Sequence, residues 1–181
     1  MGFFIMLGRI SFMGDNNVEL RQEVFKSDAS KIINWLEDTE ITQYLNEKQN
    51  VSKSIKDIMY RINMPILTHL FNQNGSFFMV TSSKNEPVGF LRLVPKNNIA
   101  EMVIVIGDKD KWGKGLGSNA ILEGLKHAFF QWRVDEVVAK INFKNQRSRR
   151  VFKKIGFTED KELAKEMQYS MSIKEFLQLV A

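Results

Sequence analysis

The spacing of apolar residues changes along the chain. Runs rich in β-branched and aromatic residues predict strands over residues 18–23, 77–82, 88–94, 99–106 and 136–141, with a last strand that ends over 169–171. Turn-forming sequences, SKNEP and PKNN, separate the three central runs. Short polar connections of this kind are typical of antiparallel hairpins, so the centre of the chain is predicted to be a meander.

Apolar residues three or four positions apart predict helices between these strands. The apolar stripes lie at 32–36, 55–62, 121–132 and 148–155. Pro65 ends or kinks the second helix, and a capping box of Ser172 with Glu175 begins a C-terminal helix. The predicted fold class is therefore α/β, with helices packed on a mixed sheet.

Composition narrows the chemistry that is available. The 181 residues include no cysteine, so disulfides and thiolate nucleophiles are excluded, and with two histidines no metal site is predicted. We assign neither His69 nor His127 a role, and we interpret His127 as a surface residue. The net charge of +5 favours an anionic partner, which is nucleic acid, an anionic membrane or a phosphorylated small molecule.

The N-terminal segment does not read as a targeting signal. Its first fourteen residues are apolar, but Arg9 interrupts them and no basic n-region or cleavage site is present. No run reaches the roughly 18 apolar residues of a membrane span, so we expect a cytoplasmic protein with no membrane partner. Met13 resembles an ordinary start. Residues 1–16 are therefore interpreted as an N-terminal extension, of which 1–12 precede this start, and 17–181 as one domain.

Three alternating glycines, Gly113, Gly115 and Gly117, stand between a predicted strand and a helix. Such a turn lets the backbone approach a phosphate, towards which the free N–H groups of the first helical turn point. A glycine-rich turn without a ligand is the other interpretation. A Walker A loop is excluded by sequence, and a dinucleotide site is disfavoured because Asp135 precedes the next strand instead of following it.

Two motifs carry a family resemblance. The segment IVIGDKDKWGKGLGSNAI resembles the acyl-CoA pyrophosphate loop of the GNAT superfamily, with Gly115 and Gly117 at its glycine positions and Trp112 where Gln or Arg is commonest. The segment NQRSRRVFKKIGF resembles the second signature of that family, at the family's spacing. The subgroup with a similar loop contains ribosomal-protein, aminoglycoside and polyamine acetyltransferases.

The resemblance implies a GNAT fold, in which a mixed and mostly antiparallel central sheet has a splayed pair of strands and helices on both faces. It also implies acetyl-CoA as the cofactor, with CoA as the product. Pantetheine would pair with the splayed strand, and the loop would hold the pyrophosphate. The helix of the second motif would bring Asn145 to the cofactor arm, and its basic edge of Arg147, Arg150 and Lys154 would meet the 3′-phosphate. The cofactor-binding residues implied in this way are Ile104, Val105, Ile106, Trp112, Gly113, Lys114, Gly115, Leu116, Gly117, Ser118, Asn145 and Arg150.

The implied activity is acetyl transfer to a primary amine by direct attack in a ternary complex. An amine with a pKa of about 10.4 is mostly protonated at neutral pH, and Glu101, at the start of the splayed strand, is the candidate catalytic base. Phe152 departs from the family pattern, because many members have a Tyr there that protonates the departing thiolate. The alternatives are that Tyr169, Tyr60 or water supplies this proton, or that the thiolate leaves unprotonated.

The acceptor is left open between a protein N-terminus, a polyamine and an aminoglycoside-like small molecule. Three carboxylates of the helical region, Glu37, Asp38 and Glu40, are candidates for attracting a cation. Phe130 lies off its helix's apolar stripe, which suggests a homodimer contact. Two other classes remain: a non-catalytic acyl-CoA-binding domain, suggested by Phe152, and a nucleic-acid-binding module, which we disfavour because no nucleic-acid signature accompanies the basic residues.

Overall fold

The structure, a computed structural model, describes residues 17–45 and 51–181, and the predicted extension, 1–16, lies outside them. Its centre is a seven-stranded sheet in the order β1-β2-β3-β4-β5-β7-β6. The strands are β1 (Val18–Arg21), β2 (Ser76–Ser82), β3 (Pro87–Lys96), β4 (Ile99–Ile106), β5 (Glu136–Asn142), β6 (Thr158–Glu162) and β7 (Glu166–Ser172). Neighbouring strands are antiparallel except for the parallel pair β4–β5, which confirms the predicted α/β class with a mostly antiparallel sheet.

Seven α-helices lie within the described ranges. They are α1 (Lys26–Glu37), α2 (Thr39–Thr42), α3 (Val51–Arg61), α4 (Thr68–Phe71), α5 (Leu116–Lys126), α6 (Gln146–Ile155) and α7 (Ile173–Val180). A 3-10 turn, Lys109–Lys111, precedes α5, which continues into a π-helical turn, His127–Gln131. In this part of the chain no helix is both long and apolar enough to cross a membrane.

The sequence patterns missed the elements that bury little. Strand β6 has the sequence TEDKE and all its side chains are exposed, so it has no apolar alternation and is held by backbone pairing with β7 at the sheet edge. Helices α2 and α4 are single turns, too short for a helical period to be visible. The elements that pack on the core lie where the apolar spacing predicted them.

Helices cover both faces of the sheet. Successive side chains of a strand point to opposite sides, so neighbouring residues of one strand belong to different clusters. Leu91 on β3 and Met102 on β4 belong to the larger cluster, beneath α5, α6 and α7. Phe90, next to Leu91, belongs to the smaller cluster, where Ile32 of α1 packs against the sheet. At the end of β4 a Cβ on Gly107 would lie 2.2 Å from the Trp35 ring, so only glycine permits this close approach of α1.

Two aromatic side chains, His127 and Phe130, lie near the end of α5. His127 is not a free surface residue: its ring centroid lies 4.7 Å from that of Phe78 and 6.1 Å from that of Trp132. The His127 N–H still bonds to the Glu123 carbonyl as in a regular helix, so the ring is half-buried because Phe78 and Trp132 pack against it, which helical periodicity does not reveal. Phe130 is 47% exposed, as its position off the stripe predicted.

Candidate active site

The strands β4 and β5 separate in the middle of the sheet. They pair from Ile99 with Glu136 to Glu101 with Val138, after which β4 continues to Ile106 beside β3 alone. The Gly107 N–H donates to the Val88 carbonyl at 2.9 Å. Antiparallel ladders bond through every second residue, so the peptide groups of Ile104 and Ile106 point away from β3 and into the gap.

The glycine loop lies at the open end of this gap. Gly113 (φ +76°) and Gly115 (φ +84°) have left-handed backbone conformations, in which an L side chain would be strained. Gly115 is also the N-cap of α5, and the first intrahelical bond runs from the Asn119 N–H to its carbonyl. The N–H groups of the first turn of α5 therefore have no intrahelical partner, which is the arrangement that favours a phosphate.

The second motif forms the opposite wall of the gap. Asn145 caps α6, where its side-chain oxygen accepts a hydrogen bond from the Ser148 N–H at 3.1 Å. Gly156 ends the helix in a left-handed conformation with φ +116°. Both ends of the motif thus have a structural role, and α6 is fixed so that one of its faces lines the gap.

A cavity of about 290 Å³ occupies this gap, and we refer to it as the cofactor cavity. All the cofactor-binding residues implied by the sequence line it except Lys114 and Arg150. Both of these side chains are exposed, and the Arg150 Nε donates to the Gln146 carbonyl of its own helix at 3.3 Å. Of the basic edge that the resemblance implied, Arg147 and Lys154 line the cavity and Arg150 does not.

Arg147 and Trp112 connect the two walls. The guanidinium carbon of Arg147 lies 3.5 Å from the centre of the Trp112 ring, a cation–π contact between α6 and the loop. The Trp112 indole N–H donates to the Ile106 carbonyl at 2.7 Å. Burial lowers the pKa of Arg147 from its ordinary value, although Glu40 and Tyr44 act in the opposite direction. An arginine remains charged at neutral pH, so a positive charge stands at the cavity.

The three tyrosines of the chain differ sharply in position. Tyr169 is fully buried, with its hydroxyl bound to Arg149 Nε at 3.0 Å and to Glu159 at 3.2 Å, whereas Tyr60 is 91% exposed on α3. Neither lines the cofactor cavity, although the sequence had offered both as proton donors. Tyr44 does line it, as does Phe152, whose buried ring packs against Phe157.

A second cavity, of about 780 Å³, adjoins the first and shares Tyr44 and Leu45 with it. We refer to it as the acceptor cavity. Its walls come from α1, α3 and α4 and from strands β2 to β5, and they include Glu101. Apart from Glu101, no sequence motif indicated the residues of this lining, most of which are ordinary side chains of the N-terminal helices and the central strands. Tyr44 and Leu45 follow the single turn α2 and were missed for the same reason.

Glu101 stands where β4 and β5 part. Its carboxylate binds Lys96 and also Lys140, whose Nζ lies 3.1 Å from Oε2. Burial by itself raises the pKa of Glu101, but the hydrogen bonds and charges of the two lysines outweigh it and hold this pKa below its ordinary value. The carboxylate is therefore ionised at neutral pH and is a weak base while both lysines are in place.

The acidic residues of the helical region are also paired. Lys109 lies 2.8 Å from Asp38 and 3.0 Å from Glu40, and Lys56 lies 2.5 Å from Glu37. These three carboxylates, which the sequence offered for attracting a cation, thus have lysine partners in this structure. Among the described residues there is no group of three or more His, Cys, Asp or Glu placed to hold a metal ion.

The comparisons with known proteins agree with this geometry. Residues 18–158 match the family model described as an acetyltransferase (GNAT) domain. The chain is 27% identical to the uncharacterized N-acetyltransferase p20 of Bacillus licheniformis over 148 residues, which are 76% of this chain and 80% of that protein. It is 31% identical over 86 residues to an N-acetyltransferase 9-like protein of Nematostella vectensis, 46% of this chain and 43% of that relative.

Solved structures have the same fold. A spermidine N-acetyltransferase from Vibrio cholerae, in complex with CoA and spermine, superposes with a TM-score of 0.74 at 17% identity and covers 89% of this chain and 98% of its own. An aminoglycoside acetyltransferase in complex with coenzyme A gives 0.73 at 15% identity, covering 90% and 98%. The predictions of the fold, of an N-acetyltransferase and of acetyl-CoA as its cofactor are confirmed. Because the family model covers far more than half of its length, the chain belongs to the acetyltransferase (GNAT) family.

Proposed function

We propose that this protein transfers the acetyl group of acetyl-CoA to a primary amine by direct attack, with donor and acceptor bound at the same time. The observation that carries this proposal is the meeting of two cavities. One is lined by the gap between β4 and β5 and by the glycine loop, the other contains Glu101, and both reach Tyr44. A ternary complex needs two adjoining sites of this kind, since the reacting atoms must come together without solvent between them.

The chain's residues fit the donor. The open N–H groups at the start of α5 and the positive side chains of Arg147 and Lys154 suit a pyrophosphate and a phosphate. The peptide groups of Ile104 and Ile106 in the gap suit the amides of a pantetheine arm, as an added strand would. Acetyl-CoA supplies the activated acetyl thioester.

Glu101 and its lysines act on the acceptor. The incoming ammonium competes with Lys96 and Lys140 for the carboxylate, and the nearby positive charges lower the pKa of the acceptor's ammonium group. The proton leaves to Glu101, directly or through water, and passes to solvent. The free amine nitrogen then forms the new C–N bond to the acetyl carbon as the C–S bond breaks and the sulfur departs as the CoA thiolate. The nitrogen loses its second proton to solvent, which leaves a neutral amide.

Tyr44 is the residue proposed to donate a proton to the departing sulfur. It is the tyrosine that lines both cavities, whereas Tyr60 and Tyr169 line neither. Phe152 lines the cofactor cavity but has no proton to give. The thiol of a cysteine side chain has a pKa of about 8.5, so protonation of the departing sulfur helps the reaction most at and below neutral pH.

The experiment that tests the proposal is calorimetric titration with acetyl-CoA of the wild type and of Gly117→Trp. A Cβ on Gly117 would lie 3.7 Å from Ile106, so the backbone tolerates a side chain but an indole would fill the cavity. We expect at least about 100-fold weaker binding, or roughly 2.8 kcal/mol. Glu123→Trp, on the same helix and away from both cavities, is the control. Equal binding by Gly117→Trp and the wild type would reject this site.

A further inference from the structure

The acceptor cavity has walls that are apolar over most of their extent. Helix α3 contributes Ile55, Ile58 and Met59, and none of its residues is fully buried in the core. Opposite them stand Phe71 and Phe77, whose ring centroids are 4.9 Å apart. Ile55 packs against the smaller core cluster but is only half-buried, and the part of this apolar face that the cavity leaves open suits an apolar occupant.

The charges of the cavity are balanced. The charged side chains in its described lining are Arg92, Glu101, Lys140 and Glu166, two of each sign. Glu101 has two lysine partners, of which Lys96 adds a further positive charge from outside the lining. The described residues therefore offer no excess of carboxylates over cations.

This balance separates the possible acceptors. A polyamine such as spermidine carries three ammonium groups, whereas the two carboxylates of the described lining are matched by two cations, so further ammonium groups lose their hydration with no net negative charge to replace it. An aminoglycoside carries several ammonium groups and hydroxyls, which gain little from the apolar part of the wall that α3 and the Phe71–Phe77 pair form. A molecule with one ammonium group and a hydrocarbon body would place its charge at Glu101 and bury the rest against α3.

We infer that the acceptor is a primary monoamine with an apolar aliphatic or aromatic body. This inference rests on the proposed acetyl transfer and adds the substrate class to it. The apolar body lies between α3 and the Phe71–Phe77 pair, and its amine lies at Glu101, the end of the cavity where β4 and β5 part.

The test compares acceptors of similar length in a thiol-release assay with saturating acetyl-CoA. n-Octylamine and spermidine have similar lengths but carry one and three ammonium groups. We expect kcat/KM for n-octylamine to exceed that for spermidine by at least about 50-fold. Among n-alkylamines it should rise about fourfold for each added methylene from butyl to octyl, the factor expected for a buried CH₂.

Two variants on α3 test the wall itself. Ile55→Glu places a carboxylate in the apolar lining without lowering helix propensity, and it should lower kcat/KM for n-octylamine at least tenfold while raising that for spermidine. Lys53→Glu introduces a glutamate on the exposed side of the same helix and should leave kcat/KM for both amines within twofold. The Tm and the acetyl-CoA affinity of each variant show that it is folded.

The outcomes separate this inference from the proposed function. If the wild type does not bind acetyl-CoA, the proposed function fails. If it binds acetyl-CoA and prefers spermidine, or acetylates none of these amines, the apolar acceptor is overturned and the donor site stands. If kcat/KM rises with the length of the alkylamine and Ile55→Glu abolishes this rise, the apolar acceptor is supported.

Discussion

The two cavities of this protein are built in different ways. The cofactor cavity is formed largely by main chain: the gap after Glu101 on β4, the left-handed glycines and the open first turn of α5. The acceptor cavity is formed by side chains from three helices that pack on the sheet. A site made of backbone constrains which residue types can occupy it, whereas a site made of apolar side chains accepts many sequences. The first is therefore readable from sequence and the second is not.

The largest effect we expect within this comparison comes from Glu101→Gln, which should damage the acceptor side and spare the donor side. We expect kcat/KM to fall about 100-fold near pH 7, the size typical of losing a general base, with acetyl-CoA affinity within twofold. The deficit should shrink as pH rises towards the acceptor's pKa, because more amine is then already unprotonated. The measurement is a pH–rate profile from pH 7 to 10.

The lowered pKa of Glu101 fixes how that profile is interpreted. The carboxylate is ionised throughout this range, so the rise of the wild-type rate with pH belongs to the acceptor amine. Glu123→Gln, which removes the carboxylate of the Glu123–Lys126 ion pair on α5, controls for the loss of an ion pair alone. A deficit that is the same at every pH would make Glu101 a positioning residue, and an unchanged rate would remove it from the mechanism.

Arg147→Ala should weaken the donor side instead. Its guanidinium lines the cofactor cavity and stacks on Trp112, so we expect about a tenfold loss of acetyl-CoA affinity, or roughly 1.4 kcal/mol. The loss should become smaller at high salt. Arg150→Ala is the informative comparison, since that side chain lies outside the lining and we expect less than a twofold change. The opposite order would favour Arg150, the residue that the sequence resemblance indicated.

The choice between these arginines marks the limit of what the sequence could predict about the site. Residues 147 and 150 lie about 60° apart around a helix, and residues 147 and 154 lie nearly in line. The pattern of α6 therefore predicts a basic edge but not which arginine turns to the gap, which depends on how α6 packs beside β4. By contrast, Gly115 was predictable because its backbone conformation excludes most other residues.

Burial decides which of the other elements could be predicted from the sequence. Strands β2 to β5 were predictable because they lie in the middle of a sheet that is covered on both faces, which leaves nearly continuous runs of β-branched and aromatic residues. Helix α5 was predictable because it buries one face, which imposes a helical period on the sequence. Strand β6 buries nothing and left no pattern. Tyr44 follows a single helical turn, so only the three-dimensional packing brings it to both cavities.

Tyr44→Phe should give a smaller effect that links the two cavities. If the phenol protonates the departing sulfur, kcat should fall about fivefold at pH 7 with acetyl-CoA affinity within twofold. The deficit should disappear above about pH 8.5, where a thiolate is stable without a proton. Tyr60→Phe, an exposed tyrosine outside both cavities, is the control. A loss of acetyl-CoA affinity without a change in kcat would make Tyr44 a binding residue of the donor side.

The smallest effect concerns His127, which belongs to neither cavity. Burial lowers its pKa from the ordinary value of 6.5. Below that value the unfolded chain binds a proton that the folded chain does not, so the folded state loses stability as pH falls through 6.5 towards the lowered pKa. His127→Phe removes this loss and keeps an aromatic ring against Phe78.

Between pH 7.5 and 5.5 the wild-type Tm should therefore fall by the order of 1 °C more than that of His127→Phe. The difference is small because the ring is only partly buried and remains partly hydrated. Thermal melts of both proteins across this range measure it, and parallel curves would show that His127 keeps its ordinary pKa. Since the loss lies below pH 6.5, rate profiles recorded above pH 7 are free of it, and the pH dependences expected for Glu101 and Tyr44 can be assigned to the chemistry at the two cavities.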